Sequence, residues 1–293
     1  MSAEANLIGE SVDSSCGPLH TRSACSSAPD GSSVGKSSAF PHAGVLIINA
    51  DDWGRDQETT QRIFECASHG SISSVSAMVF MEDSERAAAL ARESEIDAGL
   101  HLNFTTPFSA PNGSARLMKC QQELAGHLRR HRLAQVIFDP RLVRSFEYVV
   151  AAQVDEFHRL YGAEPKRLDG HHHMHLCANV VWGRLLPKGT VVRRNFSFLP
   201  GEKGPINRLY RNIVDRALDR RHLLVDFLFS LPPLEPVGRW QRILSLAYES
   251  VVELETHPVN PEEYRFLCDG EIFRRIGDIA IASCFAMPKH GRT

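Results

Sequence analysis

The 293-residue chain contains no apolar run that approaches the roughly 20 residues needed to cross a bilayer; runs such as 45–48 and 279–282 fall far short, which excludes an inserted span. It also lacks an excess of charge of either sign. With 33 Lys and Arg against 35 Asp and Glu there is no basic surplus to neutralise phosphates, so nucleic acid is not an expected partner. No C-x-x-C pair occurs, and the seven cysteines lie scattered at positions 16, 25, 66, 120, 177, 268 and 284. An odd count at such spacings argues against both a disulfide framework and a thiolate metal site. The first ten residues carry two acidic and no basic groups, with no apolar stretch behind them. That is not the pattern of a secretory signal and points to the cytoplasm.

What the chain does have is histidine, fourteen in all, four of them within residues 170–176. Residues 1–42 are rich in Ser, Gly, Ala and Pro with few large apolar groups. Such a composition cannot repay its ordering entropy, so a disordered leader is expected there. From residue 43 to 293 the pattern changes to short apolar runs alternating with helical periodicity, the signature of βα units around a parallel sheet in one α/β domain. Strands are expected at 45–49, 74–80, 98–102, 166–169, 190–194, 223–229, 251–255 and 278–283. Helices are expected at 57–69, 84–92, 142–161, 178–186, 206–221, 240–248 and 271–276, with a loop over 105–115. About eight strands in some 250 residues fit a (β/α) barrel, and a doubly wound open sheet would show a similar pattern. Both architectures gather their chemistry at the C-terminal ends of the strands.

Four polar clusters fall just past those ends: Asp51 with Asp52, His101, Asp169 with His171, His172, His173 and His175, and His257 before Pro258. Asp and His together suit a borderline divalent metal, and three protein ligands with an open position are the catalytic arrangement. Each cluster also has an ordinary reading. An Asp-Asp pair before Gly54 can be a turn or a helix cap, a lone histidine is more often packed than liganding, the histidine run can be an exposed polar loop, and His257 can simply end a strand. A phosphoesterase would use a similar site together with basic residues such as Arg193 and Arg194, and a sugar-binding barrel without turnover is a further alternative.

The segments Asn49-Ala50-Asp51-Asp52-Trp53-Gly54, Gly99-Leu100-His101-Leu102-Asn103, Leu168-Asp169-Gly170-His171-His172-His173-Met174-His175 and Glu253-Leu254-Glu255-Thr256-His257-Pro258 resemble, in order and spacing, those of the YdjC-like carbohydrate deacetylases. That family includes chitooligosaccharide and hopanoid-associated deacetylases. The resemblance covers about residues 44–285 and extends to Gln153 and Phe157 on the helix before the histidine motif. It implies a distorted, TIM-like (β/α) barrel of the glycoside hydrolase/deacetylase type and removal of an N-acetyl group from an amino sugar. One divalent cation, Mg²⁺ or Zn²⁺, would be held by Asp52, His101 and His171; family usage favours Mg²⁺, and ligand softness favours Zn²⁺. Asp51 would be the general base and His257 the general acid, while His173 and His175 would line the site or support its ligands. Family members often pair, which makes a homodimer a candidate assembly. Two departures stand out: Trp53 where the family usually has Phe, and Val259 where Gly commonly follows His-Pro.

Overall fold

Alternation along β1 (Val45–Trp53) sets the architecture. Leu46, Ile48 and Ala50 join the large core beneath the helices, whereas Ile47 packs with Val191, Val225 and Val251 in a small separate cluster on the opposite face. A strand covered on both faces by different partners is what a parallel sheet between helices and its own curled interior requires. The computed structural model describes residues 44–130, 132–198 and 203–283, so the expected leader over residues 1–42 lies outside the described residues.

β1 is followed by α1 (Gln57–Ser68), which starts where the Asp56 carboxylate accepts from Thr59 N at 2.8 Å. Then come β2 (Ser74–Ala77), α2 (Ser84–Glu93), β3 (Ala98–Leu102), α3 (Ala115–Arg130) and α4 (Val143–Tyr161). α4 ends at Gly162, whose φ of 71° is the left-handed conformation of a helix C-terminus. The second half runs β4 (Arg167–Gly170), α5 (Ala178–Gly183), β5 (Val191–Val192), α6 (Pro205–Asp219), β6 (Phe227–Ser230), α7 (Val237–Ala247), β7 (Val251–Thr256), α8 (Pro261–Cys268) and α9 (Glu271–Ile276).

All sheet pairings are parallel, in the order β5-β4-β3-β2-β1-β7-β6. The sheet curls until its two edges meet. Val191 bridges Leu223 in parallel, and Ser197 N, beyond β5, donates to Leu228 O in β6 at 2.8 Å. The result is a seven-stranded (β/α) barrel whose closure is irregular. The strand expected over 278–283 is reduced to one bridge, Leu46 with Ile281, because β7 runs along one edge of β1 and β2 takes the other edge from Asn49 onward. Two helices, α3 and α8, fall where the sequence suggests none. The strand expected over 74–80 stops at Ala77, after which Met78 to Met81 turn toward α2 and its hydroxyl Ser84.

Inside the barrel the apolar layer of Ile47, Val191, Val225 and Val251 forms the floor. Above it the inward positions become polar and charged, with Asn49 and Asp51 from β1, Ser74 and Ser76 from β2, His101 from β3, and Arg167 and Asp169 from β4. Arg193 from beyond β5 and Glu253 and Glu255 from β7 complete the set, and all are buried. Burial of so many charges is tolerable only if they satisfy one another. That requirement defines the site.

Candidate active site

Consecutive residues of a regular strand point to opposite faces, so Asp51 and Asp52 should not share a pocket. The pairing of β1 with β2 slips between Ala50 and Trp53, and Asp52 takes a left-handed φ of 69°. This bulge turns both carboxylates into the barrel mouth. Such a backbone is uncommon for a residue with a side chain and is held by its surroundings. Trp53, fully buried, donates its indole N–H to Ala87 O at 3.2 Å, and Gly54 continues the turn with a φ of 86°.

Asp52, His101 and His171 converge. Asp52 Oδ1 lies 2.8 Å from His171 Nδ1 and 3.5 Å from His101 Nε2, yet it is buried without a well-formed hydrogen bond to either. His101 Nδ1 sits 2.7 Å from Asp169 Oδ1; an ionised carboxylate only accepts, so Nδ1 carries a proton there and Nε2 is the nitrogen directed at Asp52. A ligating histidine whose other nitrogen is tied to a carboxylate is the usual support of a metal site. The three residues offer ligand atoms within 4.8 Å of one another, so this buried group can hold a metal ion.

The other two possible groupings, Asp51 with His101 and Asp169, and Asp51 with Glu255 and His257, contain carboxylates held by the buried Arg193, whereas Asp52 meets the partly exposed Arg55 through Oδ2 at 3.1 Å and keeps Oδ1 clear of guanidinium. Arg193 takes Asp51 in a two-pronged pair at 2.7 Å on both oxygens and also reaches Asp169 at 3.0 Å, Glu253 at 2.8 Å and Glu255 at 3.1 Å. Arg167 reaches Asp169 and Ser76, each at 2.9 Å.

The pKa shifts follow from this arrangement. Burial would raise Asp51 and Asp169, but the Arg193 charge outweighs it and holds both below the ordinary carboxylate range. For Asp52 burial is again overcome, here by the imidazoles of His101 and His171. Burial lowers His101, while Asp51 and Asp169 more than compensate and lift it to about 10. Glu253 goes the other way. Its burial exceeds what a guanidinium shared among four carboxylates can return, and its pKa is raised.

The remaining expected residues occupy distinct places. His257, half-buried after β7, points Nε2 to within 4.0 Å of Asp51 Oδ2, and its backbone N–H is fixed by Glu263 at 2.7 Å. His173 Nε2 lies 3.2 Å from Glu255. His175 is directed away from the cluster. It is fully buried, and its Nε2 meets Arg193 O at 2.9 Å; burial, then the neighbouring His173, lowers its pKa to about 3, so the neutral ring donates to that carbonyl. His172, not among the expected site residues, stacks on His171 with ring centres 3.9 Å apart and meets Thr105 Oγ1 at 3.0 Å. Arg193 and Arg194 were the basic pair that a phosphate clamp would need. Arg193 is consumed inside the barrel, and Arg194 bonds Asp215 and the carbonyls of Val225 and Asp226. Arg193 and Glu255 are the residues whose part in the site the sequence did not reveal, whereas Asp169 stood in the expected polar cluster; the signal was a charged residue at alternate positions of otherwise apolar strands.

Comparison with known proteins bears on the family and the fold. Residues 45–201 match the family model described as YdjC-like protein, a span that holds Asp51, Asp52, His101, His171 and Arg193 but not His257. The chain is 32% identical over 139 residues to a chitooligosaccharide deacetylase of Klebsiella pneumoniae, covering 46% of this chain and 52% of that protein. It is 32% identical over 175 residues to a carbohydrate deacetylase of Mus musculus, covering 57% and 53%. It thus spans about half the length of the curated relatives it matches. A crystal structure from Enterococcus faecalis, described as a candidate cellobiose-phosphate cleavage protein, superposes with a TM-score of 0.58 at 18% identity, covering 82% of this chain and 96% of that one, and shares the fold.

Proposed function

The chain belongs to the YdjC-like protein family, and from that membership we propose that it is a cation-dependent carbohydrate deacetylase. It hydrolyses the N-acetyl group of an amino sugar, carried on an N-acetylglucosamine-containing oligosaccharide or glycolipid, and releases acetate and the free amine. The names of the Klebsiella and mouse relatives support the reaction. The observation that carries it is the buried Asp52 Oδ1, which faces two imidazole nitrogens without hydrogen-bonding either.

Asp52, His101 and His171 would hold the ion; two imidazoles and one carboxylate suit Zn²⁺ by softness, and Mg²⁺ is the family alternative. Bound there, a divalent cation polarises the acetamide carbonyl and lowers the pKa of a water beside it. Asp51 accepts the water proton on Oδ2, the oxygen nearest His257. Arg193 keeps Asp51 ionised and fixes its plane. An amine anion is too poor a leaving group to depart unaided, so His257 gives its proton to the leaving nitrogen. His173 lines the mouth beside Glu255, and His175 supports the segment carrying Arg193 by bonding its carbonyl.

Acetate release from N-acetylglucosamine oligomers, measured on chelator-treated protein with Zn²⁺ or Mg²⁺ restored, tests the reading. Asp52→Ala and His101→Ala should lose both metal and turnover. Asp51→Asn should keep the metal while turnover falls by roughly 10²- to 10⁴-fold, the usual worth of a positioned base. Undiminished release by Asp51→Asn would overturn that residue's role, and release by the stripped wild type would overturn the cation's.

A further inference from the structure

Two segments at the barrel mouth turn large apolar side chains to solvent. α6 buries Val214 and Leu218 but leaves Ile206 84%, Leu209 60% and Ile213 46% exposed, at the three- and four-residue steps that make one stripe. Between α3 and α4, Leu133, Ile137 and Phe138 are exposed in the same way. A cavity of about 340 Å³ lies between the two segments, lined by Val136 on one side, Tyr210 of α6 on the other, and His172 and His173 of the site between them. The stripes therefore lie on the two segments that border a cavity reaching His172 and His173. Isolated exposed apolar residues are ordinary, but two such groups on neighbouring segments mark an interaction surface.

Charge identifies what that surface meets. Residues 129–144 and 203–221 hold eleven of the chain's 33 Lys and Arg but only three of its 35 Asp and Glu, so elsewhere the acidic groups outnumber the basic by 32 to 22. Arg208, Arg216 and Arg220 on α6, and Arg129 and Arg130 at the end of α3, are exposed. A two-fold contact between copies would set this patch against itself, positive on positive. A helix with an apolar stripe set among arginines is instead the form that lies in the plane of a membrane surface.

We propose that this face docks on an anionic lipid bilayer, with the two apolar stripes at the boundary of headgroups and acyl chains and the arginines on the lipid phosphates. The barrel mouth then opens toward the headgroup layer. No helix among the described residues is long and apolar enough to cross a membrane. The docking does not depend on the reaction proposed above.

Sedimentation of the full chain with vesicles of phosphatidylcholine, alone or mixed with phosphatidylglycerol, tests it. Partition should be at least about tenfold stronger onto the mixed vesicles and should fall as salt is added. The triple variant Ile206→Ser, Leu209→Ser, Ile213→Ser should lose about tenfold in partition with an unchanged circular-dichroism melt, and Arg208→Glu with Arg216→Glu and Arg220→Glu should fall to the level of neutral vesicles. Equal binding to both vesicle types, or wild-type binding by the serine variant, would overturn the proposal. So would light scattering showing a dimer that the serine variant dissociates, together with no vesicle binding, since the face would then belong to a second copy. Because the readout is partition, a protein that released no acetate would still decide the question.

Discussion

Arg193 carries a single charge that four buried carboxylates share, and its removal leaves those carboxylates facing one another in a medium that solvates them poorly. Arg193→Met should therefore lower unfolding stability by about 3–5 kcal/mol at neutral pH, read from urea denaturation. The loss should shrink on acidification, as protonated carboxylates need no counter-charge. His175 gives a separate pH signature. Its folded pKa of about 3 lies below the ordinary 6.5, so between these values the unfolded chain takes up a proton that the folded chain refuses. Stability from this group is complete above about pH 6.5 and drains away as pH falls toward 3, by at most about 1.4 kcal/mol per pH unit. A His175→Asn protein should be less stable than wild type at neutral pH, and the gap should narrow by pH 5; a constant gap would mean the ring does not titrate as described. The sequence signalled His171, His173 and His175 as one polar cluster, but nothing in their spacing distinguished a ring facing the cation site from one facing a backbone carbonyl. That difference is made by the left-handed φ of His172 and His173, 55° and 56°, which turn the chain back on itself.

At the level of elements, β3 and β4 depend on a close approach. Arg167 lies across Gly99, where an added Cβ would come within 2.7 Å of its guanidinium carbon. The guanidinium cannot retreat, because Ser76, Asp169 and Val75 O hold it. Gly99→Ala should thus cost roughly 1–3 kcal/mol by overpacking and displace His101, two residues on, enough to weaken metal retention as measured by dialysis. α4 acts on the same strand from outside: Gln153 accepts from Asn103 N at 2.7 Å and donates to Asn103 O at 3.2 Å, clamping the end of β3. The long helices were legible because their apolar residues recur at helical steps and glycine ends them, as at Gly162. α3 was not, because its apolar positions are interrupted by Gln121, Gln122 and Gly126 next to a turn-rich segment. The run at 278–283 read as a strand because apolar residues in sequence do not reveal whether a sheet edge is free to receive them.

For the molecule as a whole, the gathering of Asp52, His101 and His171 ligand atoms in one buried group predicts that a divalent cation stabilises the fold. Chelator-treated protein should melt higher when Zn²⁺ or Mg²⁺ is restored, by about 2.7 kcal/mol at a hundred times Kd, or roughly 5–10 °C for a chain of this size. Asp52→Ala should show no rise. Because the metal-free fold holds a proton on His101 with a pKa of about 10, the ion must displace that proton, and the rise should be larger near pH 8 than near pH 6. The sequence by itself determined the class of fold, the parallel βα order and the four polar clusters at strand ends, since these follow from local periodicity and residue chemistry. Only the tertiary structure decided that the sheet closes through β5 and β6, that a bulge brings Asp51 and Asp52 to one side, and that Arg193 joins carboxylates from three strands. The Arg193 contacts with β1 and β7 join residues 60 to 142 positions apart. No local pattern encodes them, because they come into being only when the chain has curled far enough for charges on opposite walls to lose their water together.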